Sequence, residues 1–222
     1  MATRRYVPHY AWIVAAVAFT TMLVAAGIRS SPGILVVPLE TEFGWSRSVI
    51  SLAVGINILL YGATGPFVAA LMNRFGVRRM VLFALTMMGT GVALTPFMQQ
   101  SWHMVLLWGV VVGLGAGTTA NVLAVTVATR WFTKDRGVVT GVMLSATATG
   151  QLLFLPLLAY ISTVAGWRMV SATVATCALG LLPLVYFLMR DRPQDIGLAP
   201  YGESEVAKPV EPSKGNFVGE AF

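Results

Sequence analysis

The sequence predicts an all-α integral membrane protein in which six transmembrane helices form one bundle, and three observations predict it. Of its 222 residues, 56% are apolar and only 11% are charged, whereas soluble domains carry about 25% charged residues. The apolar residues gather in six stretches, about 11–39, 49–71, 80–98, 104–129, 138–165 and 169–189, and Arg29 is the one charged side chain inside them. Each stretch reaches the roughly 17–25 residues that a helix needs to cross about 30 Å of hydrocarbon, and none shows the short in-and-out alternation of a membrane barrel. Basic side chains, finally, collect in alternate loops: Arg4 and Arg5, then Arg74, Arg78 and Arg79, then Arg130, Lys134 and Arg136, then Arg190 and Arg192. The opposite loops hold only Arg47 and Arg168, so the positive-inside rule puts both termini in the cytoplasm.

The first stretch follows Arg4 and Arg5 in the manner of a secretory signal, but it is longer than a signal's apolar core and a second span follows closely. It therefore reads as an uncleaved helix. A central arginine costs a membrane helix about 2.5–3.5 kcal/mol on insertion scales, so Arg29 is expected to face a cavity and a partner. Its planar fork suits a carboxylate; the alternatives are a structural partner such as a backbone carbonyl, or snorkelling outward. Gly27, Pro32 and Gly33 flank it, and such residues permit a local break that frees backbone groups towards a cavity.

In the second stretch Asn57 and Tyr61 lie one turn apart and share a face, while Gly62, Gly65 and Ala69 form a small-residue face. In the fourth stretch Gly109, Gly113 and Gly117 recur every four residues, and Asn121 continues that face. Faces of this kind let helices approach closely. The run Gly113 to Gly117 has the look of a dinucleotide loop, but no strand precedes it, so helix packing is the reading. Thr147 and Gln151 share a face of the fifth stretch. Asn57, Tyr61, Asn121 and Gln151 are thus candidate substrate contacts beside Arg29, with interhelical hydrogen bonding or packing as the other reading of each.

The third stretch is uninterrupted, and His103 stands beside Trp102 between the third and fourth, where amphipathic rings favour the interface. The sixth stretch holds the single cysteine, Cys177, which offers neither a disulfide nor a metal set. Residues 191–222 break the pattern, since the segment from 190 onward carries six of the nine acidic residues and four of the eleven prolines. It reads as a polar cytoplasmic tail or the start of a linker, set apart from a bundle over 1–190. The net charge of +6 is explained by loop topology and gives no reason to expect nucleic acid. No cofactor is expected.

The loop after the second stretch, Asn73-Arg74-Phe75-Gly76-Val77-Arg78-Arg79, resembles the loop signature G-x-x-x-D-R-x-G-x-[RK]-[RK] of the major facilitator superfamily. Arg74, Gly76, Arg78 and Arg79 match, while Ala69 stands where the pattern has its first Gly and Asn73 where it has the Asp. Pro38 to Glu40, Glu42 to Arg47, Arg130-Trp131-Phe132 with Arg136-Gly137, Gly166-Trp167-Arg168 and Asp191 to Leu198 are similar to its monocarboxylate and oxalate/formate branch. The resemblance implies a twelve-helix transporter of two six-helix bundles joined by a cytoplasmic linker, of which this chain matches the first. It further implies that Asn73, Arg74, Gly76, Arg78 and Arg79 form a conformational-gating loop in which Asn73 replaces a charged relay residue by an uncharged one.

The expected function is therefore secondary or facilitative transport of a small organic anion across the cell membrane, a bacterial inner membrane, with the lipid bilayer and a missing six-helix half or a second copy as partners. The competing expectation is a truncated, non-transporting membrane protein or partner subunit. An intramembrane enzyme is disfavoured because no span contains His, Asp or Glu, the residues that nucleophilic or metal-assisted hydrolysis requires. The same absence leaves the spans without an obvious proton-carrying carboxylate.

Overall fold

A computed structural model describes residues 9–203; Arg4, Arg5 and the tail beyond Glu203 lie outside them. Among the described residues the structure is helical throughout, with no β-strand. The first span is α1 (Tyr10–Phe43), which runs unbroken through Gly27, Pro32 and Gly33. The local break that these residues permit is thus not formed. Pro32 has no N–H to give the carbonyl of Ile28, but the Ser31 hydroxyl donates to that carbonyl at 2.8 Å. The deficit at Pro32 is filled by its neighbour, and the helix continues, as it does through Pro38. It ends at Gly44, whose φ of +66° is the left-handed conformation that favours glycine at a helix C-terminus.

The second span consists of two helices, α2 (Arg47–Ala63) and α3 (Gly65–Phe75), which meet at 56°. Pro66 stands in the first turn of α3, where a missing N–H is tolerated, and it prevents α2 from simply continuing. The third span is α4 (Val77–Ala93) with a short 3₁₀ turn over Thr95–Phe97. The fourth comprises α5 (Ser101–Met104), π-helical turns over Val105–Val111, α6 (Val112–Thr118) and α7 (Asn121–Trp131). The last two spans are α8 (Arg136–Ala165) and α9 (Trp167–Leu188). Five segments are each long and apolar enough to cross a membrane, and the bent pair α2 and α3 makes a sixth.

Small residues set how these helices pack. The Gly109, Gly113 and Gly117 face lies against α2: a Cβ on Gly109 would stand 3.2 Å from the Ala53 carbonyl, and one on Gly113 would stand 3.1 Å from Asn57 Cα. On the other side of the bundle, the buried stripe Met143, Ala146, Gly150, Phe154 and Leu158 of α8 faces α1, with the Phe154 ring lying on Gly27. Gly62 and Gly65 behave differently, having no neighbour within 4 Å of a Cβ among the described residues. They sit at the bend, on the side turned away from the bundle.

The two ends of the bundle have opposite character. At one end Glu42 pairs with Arg168 and accepts from the Trp167 indole at 2.6 Å, while Glu40 pairs with Arg47 at 2.8 Å. At the other end the chain beyond α9 folds back onto the bundle. Asp191 accepts from the Arg78 backbone N–H at 2.8 Å, capping the start of α4. Farther on, Tyr201 N–H donates to the Trp131 carbonyl at 2.8 Å and its ring packs on Trp12 and Phe132. The segment that composition marks as a polar tail is thus docked as far as it is described.

Candidate functional site

Four helices converge on Arg29. Its side chain is half-buried, and its guanidinium carbon lies 3.8 Å from the centre of the Tyr61 ring, a cation stacked on an aromatic face. Two hollows meet at the same guanidinium. One, of about 90 Å³, is lined by Arg29, Pro32, Ala53, Asn57, Ile58 and Trp108 among others. The other is a narrow cleft bounded by Arg29, Tyr61, Ala116, Thr119 and Thr147. The arginine therefore stands between an apolar hollow towards the Glu42 end of α1 and a hydroxyl-lined cleft towards its start.

Arg29 has no carboxylate partner among the described residues, where the ion pairs are Glu40 with Arg47 and Glu42 with Arg168. Stacking on an aromatic ring contributes about 0.5–1 kcal/mol when exposed and about 2 when desolvated. That is below the 2.5–3.5 kcal/mol or so that a central arginine costs. The ring positions the cation without balancing it, and an anion seated at the guanidinium would supply the remainder.

Asn57 is committed in part elsewhere. Its amide donates to the Trp108 carbonyl at 2.7 Å, inside the π-helical turns, whose altered register changes which carbonyls are free. The Trp108 indole in turn donates to Thr95 at 3.0 Å. Asn57 thus ties α2 to the fourth span and lines the hollow beside Arg29 as well. Replacing Asn57 by leucine is expected to cost about 0.6 kcal/mol of stability and at most about 1.7, the mean and the maximum measured for interhelical hydrogen bonds in a membrane protein. A thermal midpoint in detergent checks this, and an unchanged midpoint would show that the bond contributes nothing.

The structure brings Arg29, Asn57 and Tyr61 together but leaves Asn121 and Gln151 apart from them. Asn121 is exposed at the first position of α7, because the break at Thr119 and Ala120 interrupts the Gly109 to Gly117 face before it reaches that residue. Gln151 is exposed on α8, next to Gly150 but turned off the stripe that packs on α1. Sequence reasoning overlooked Thr119 and Trp108. The hydroxyl pair Thr118-Thr119 directly after the glycine run was the available signal for the first; no local signal marks the π-helical turns that present the Trp108 carbonyl.

The candidate gating loop gathers at the basic end. The Asn73 side-chain oxygen accepts from Arg130 at 2.6 Å. Gly76 turns the chain with φ of +90°, and a Cβ there would collide with the Asp191 carboxylate at 2.6 Å, so conformation and space both require glycine. Arg78 lies over the Tyr186 ring at 4.4 Å. Arg74 and Arg79 face the same pocket, of about 590 Å³.

Comparison with known proteins agrees with this architecture. An uncharacterised MFS-type transporter, YcxA, of Bacillus subtilis is 25% identical over 187 residues, covering 84% of this chain and 46% of the relative. Human monocarboxylate transporter 14 is 28% identical over 186 residues, covering 79% of this chain and 36% of the relative. This chain therefore spans less than half the length of these relatives. The solved structure of the proton:xylose symporter XylE bound to 6-bromo-6-deoxy-D-glucose superimposes with a TM-score of 0.71 at 20% identity, covering 83% of this chain and 46% of that one. The inward-open xylose transporter XylE from E. coli gives 0.69 at 20% identity, with 83% and 49% covered. Sharing that fold, and matched by the Major Facilitator Superfamily profile over residues 17–218, the chain belongs to the major facilitator superfamily of multi-pass membrane transporters.

Proposed function

We propose that this chain forms the first six-helix bundle, over 1–190, of a twelve-helix carrier that moves a small organic anion of the monocarboxylate class by alternating access. The observation that carries this reading is Arg29, a half-buried guanidinium among four helices, stacked on Tyr61 and paired with no carboxylate among the described residues. The likeness to monocarboxylate transporters supports the same class of cargo. Asn57 and the hydroxyls of Thr119 and Thr147 lie within the two hollows at Arg29 and complete the polar rim. Asn121 and Gln151, on open faces of the bundle, join the site only when a second bundle encloses it.

In this reading both termini are cytoplasmic, the carrier resides in a bacterial inner membrane, and residues 191–222 begin the linker to the second bundle. Asn73, Arg74, Gly76, Arg78 and Arg79 act as the loop that holds one conformation closed, with Asp191 fixed against Gly76. Proton coupling, where it occurs, falls to the second bundle or to the substrate itself. The test is uptake of labelled small monocarboxylates by the full-length product in proteoliposomes. Saturable uptake, inhibited by other small monocarboxylates and indifferent to xylose, is the expected result. Xylose transport without carboxylate transport would overturn the assignment, and a reconstituted product with neither would favour a non-transporting membrane partner.

A further inference from the structure

The pocket at the basic end has a charge excess that no ion pair among the described residues neutralises. Five guanidiniums line it, from Arg74, Arg78, Arg79, Arg130 and Arg192, against two carboxylates, Asp191 and Asp195. Both carboxylates are engaged by backbone: Asp191 accepts from Arg78 N–H at 2.8 Å and Asp195 from Arg192 N–H at 3.0 Å. None of the five arginines belongs to an ion pair among the described residues. Arg130, half-buried, has its side-chain contact with Asn73, an uncharged amide. A carboxylate at position 73 would pair with Arg130 and remove one of the surplus charges, so the asparagine accounts for part of the excess. The floor of the pocket is not wholly polar, since Phe75, Leu82 and Tyr186 also line it, and Phe75 and Tyr186 are exposed.

We propose that this pocket binds a phosphate-bearing polyanion, a chemistry supplied either by the headgroup of an anionic phospholipid or by soluble phosphate. Arginine forks hold two phosphate oxygens each with directional, charge-assisted hydrogen bonds. Several such forks around a hollow of about 590 Å³ accommodate a multiply charged group better than a single carboxylate. The position suits the lipid source: the pocket lies at the ends of α3, α4, α7 and α9, and basic pockets between the ends of transmembrane helices are where anionic headgroups bind. The exposed rings of Phe75 and Tyr186 offer an apolar edge for the start of an acyl chain. This binding is independent of what the carrier transports, because it uses neither Arg29 nor the hollows around it.

The test uses the purified full-length product in nanodiscs of phosphatidylcholine with graded phosphatidic acid, and native mass spectrometry counts the retained lipid. Phosphatidic acid is expected to be retained over phosphatidylcholine, and Asn73→Asp and Arg130→Gln are each expected to weaken retention by about tenfold, the worth of one charge-assisted hydrogen bond. Arg168→Gln, at the opposite end, is expected to leave it unchanged. Should Asn73→Asp fail to fold, Arg192→Gln at an exposed position gives the same reading. Displacement of the lipid by millimolar inorganic phosphate would assign the site to the soluble source, and resistance to it would assign the lipid. Retention no greater than that of phosphatidylcholine, with no phosphate binding, would overturn the proposal, as would retention indifferent to both Asn73→Asp and Arg130→Gln.

Discussion

Replacing Arg29 by glutamine is expected to reduce monocarboxylate uptake by the full carrier about hundredfold or more, while leaving the protein folded and no less stable. Two charge-assisted hydrogen bonds from one fork, at about 1.5–3 kcal/mol each, account for a loss of that size. The stability half of the expectation separates function from architecture. A structural arginine deep in a bundle is destabilising to remove because it leaves its partner unpaired. Arg29 has the face of Tyr61 as its contact and, among the described residues, no carboxylate to strand, so the neutral amide removes an insertion cost and takes little in return. Arg29→Lys keeps the charge without the fork and should raise KM more than it lowers kcat. Uptake by proteoliposomes and a thermal midpoint without substrate measure the two halves. A variant that transports normally would take Arg29 out of the site, and one that loses its fold would make it a structural residue.

The features legible in the sequence were those written in local chemistry. Uncharged runs long enough to cross hydrocarbon locate the helices, and a glycine every four residues marks a close helix contact, here between the fourth span and α2. Arg29 stood out because an uncompensated charge in an apolar helix has few explanations. The sequence could not show continuity. Gly27, Pro32 and Gly33 suggested a break in α1, but one hydroxyl, that of Ser31, repairs it, whereas Gly65 and Pro66 do bend the second span by 56°. The same residue types give opposite results, since α1 also passes through Pro38, α8 through Pro156 and α9 through Pro183 without a break, whereas Pro66 opens a new helix. Asn121 was carried away from the site by a similar local event, the break after Thr118, and Thr119 was left at the cleft in its place. Nor does the composition of residues 191–203 reveal that they dock, since Asp191 and Tyr201 act through partners more than sixty residues away.

Gly150→Ala is expected to destabilise the bundle by about 1–3 kcal/mol, the usual cost of forcing added volume into a packed interior, and to impair uptake with it. A Cβ on Gly150 would stand 2.9 Å from Ala26 Cβ and 3.1 Å from the Leu23 carbonyl carbon, and would overlap the Leu23 oxygen. Carbon atoms in good contact lie about 3.5–4.0 Å apart. The obstructing atoms are backbone and a methyl fixed to it, so no rotamer change relieves the overlap and α1 and α8 must separate. That separation lifts Phe154 from Gly27, which it now covers, and draws Thr147 away from the cleft it shares with Arg29. Two comparisons isolate the cause. On the same helix, a Cβ at Gly141 meets nothing within 4 Å, so Gly141→Ala should be neutral or slightly stabilising through helix propensity. At Gly117 the closest obstruction is the Thr64 hydroxyl, which can rotate aside and leave Thr64 Cβ at 3.1 Å, so Gly117→Ala should cost less than Gly150→Ala, where backbone blocks the way. Thermal midpoints for the three variants therefore test whether backbone contact between α1 and α8 holds the site together. Equal losses at Gly141 and Gly150 would mean that helix flexibility, rather than close approach, is what the glycines provide.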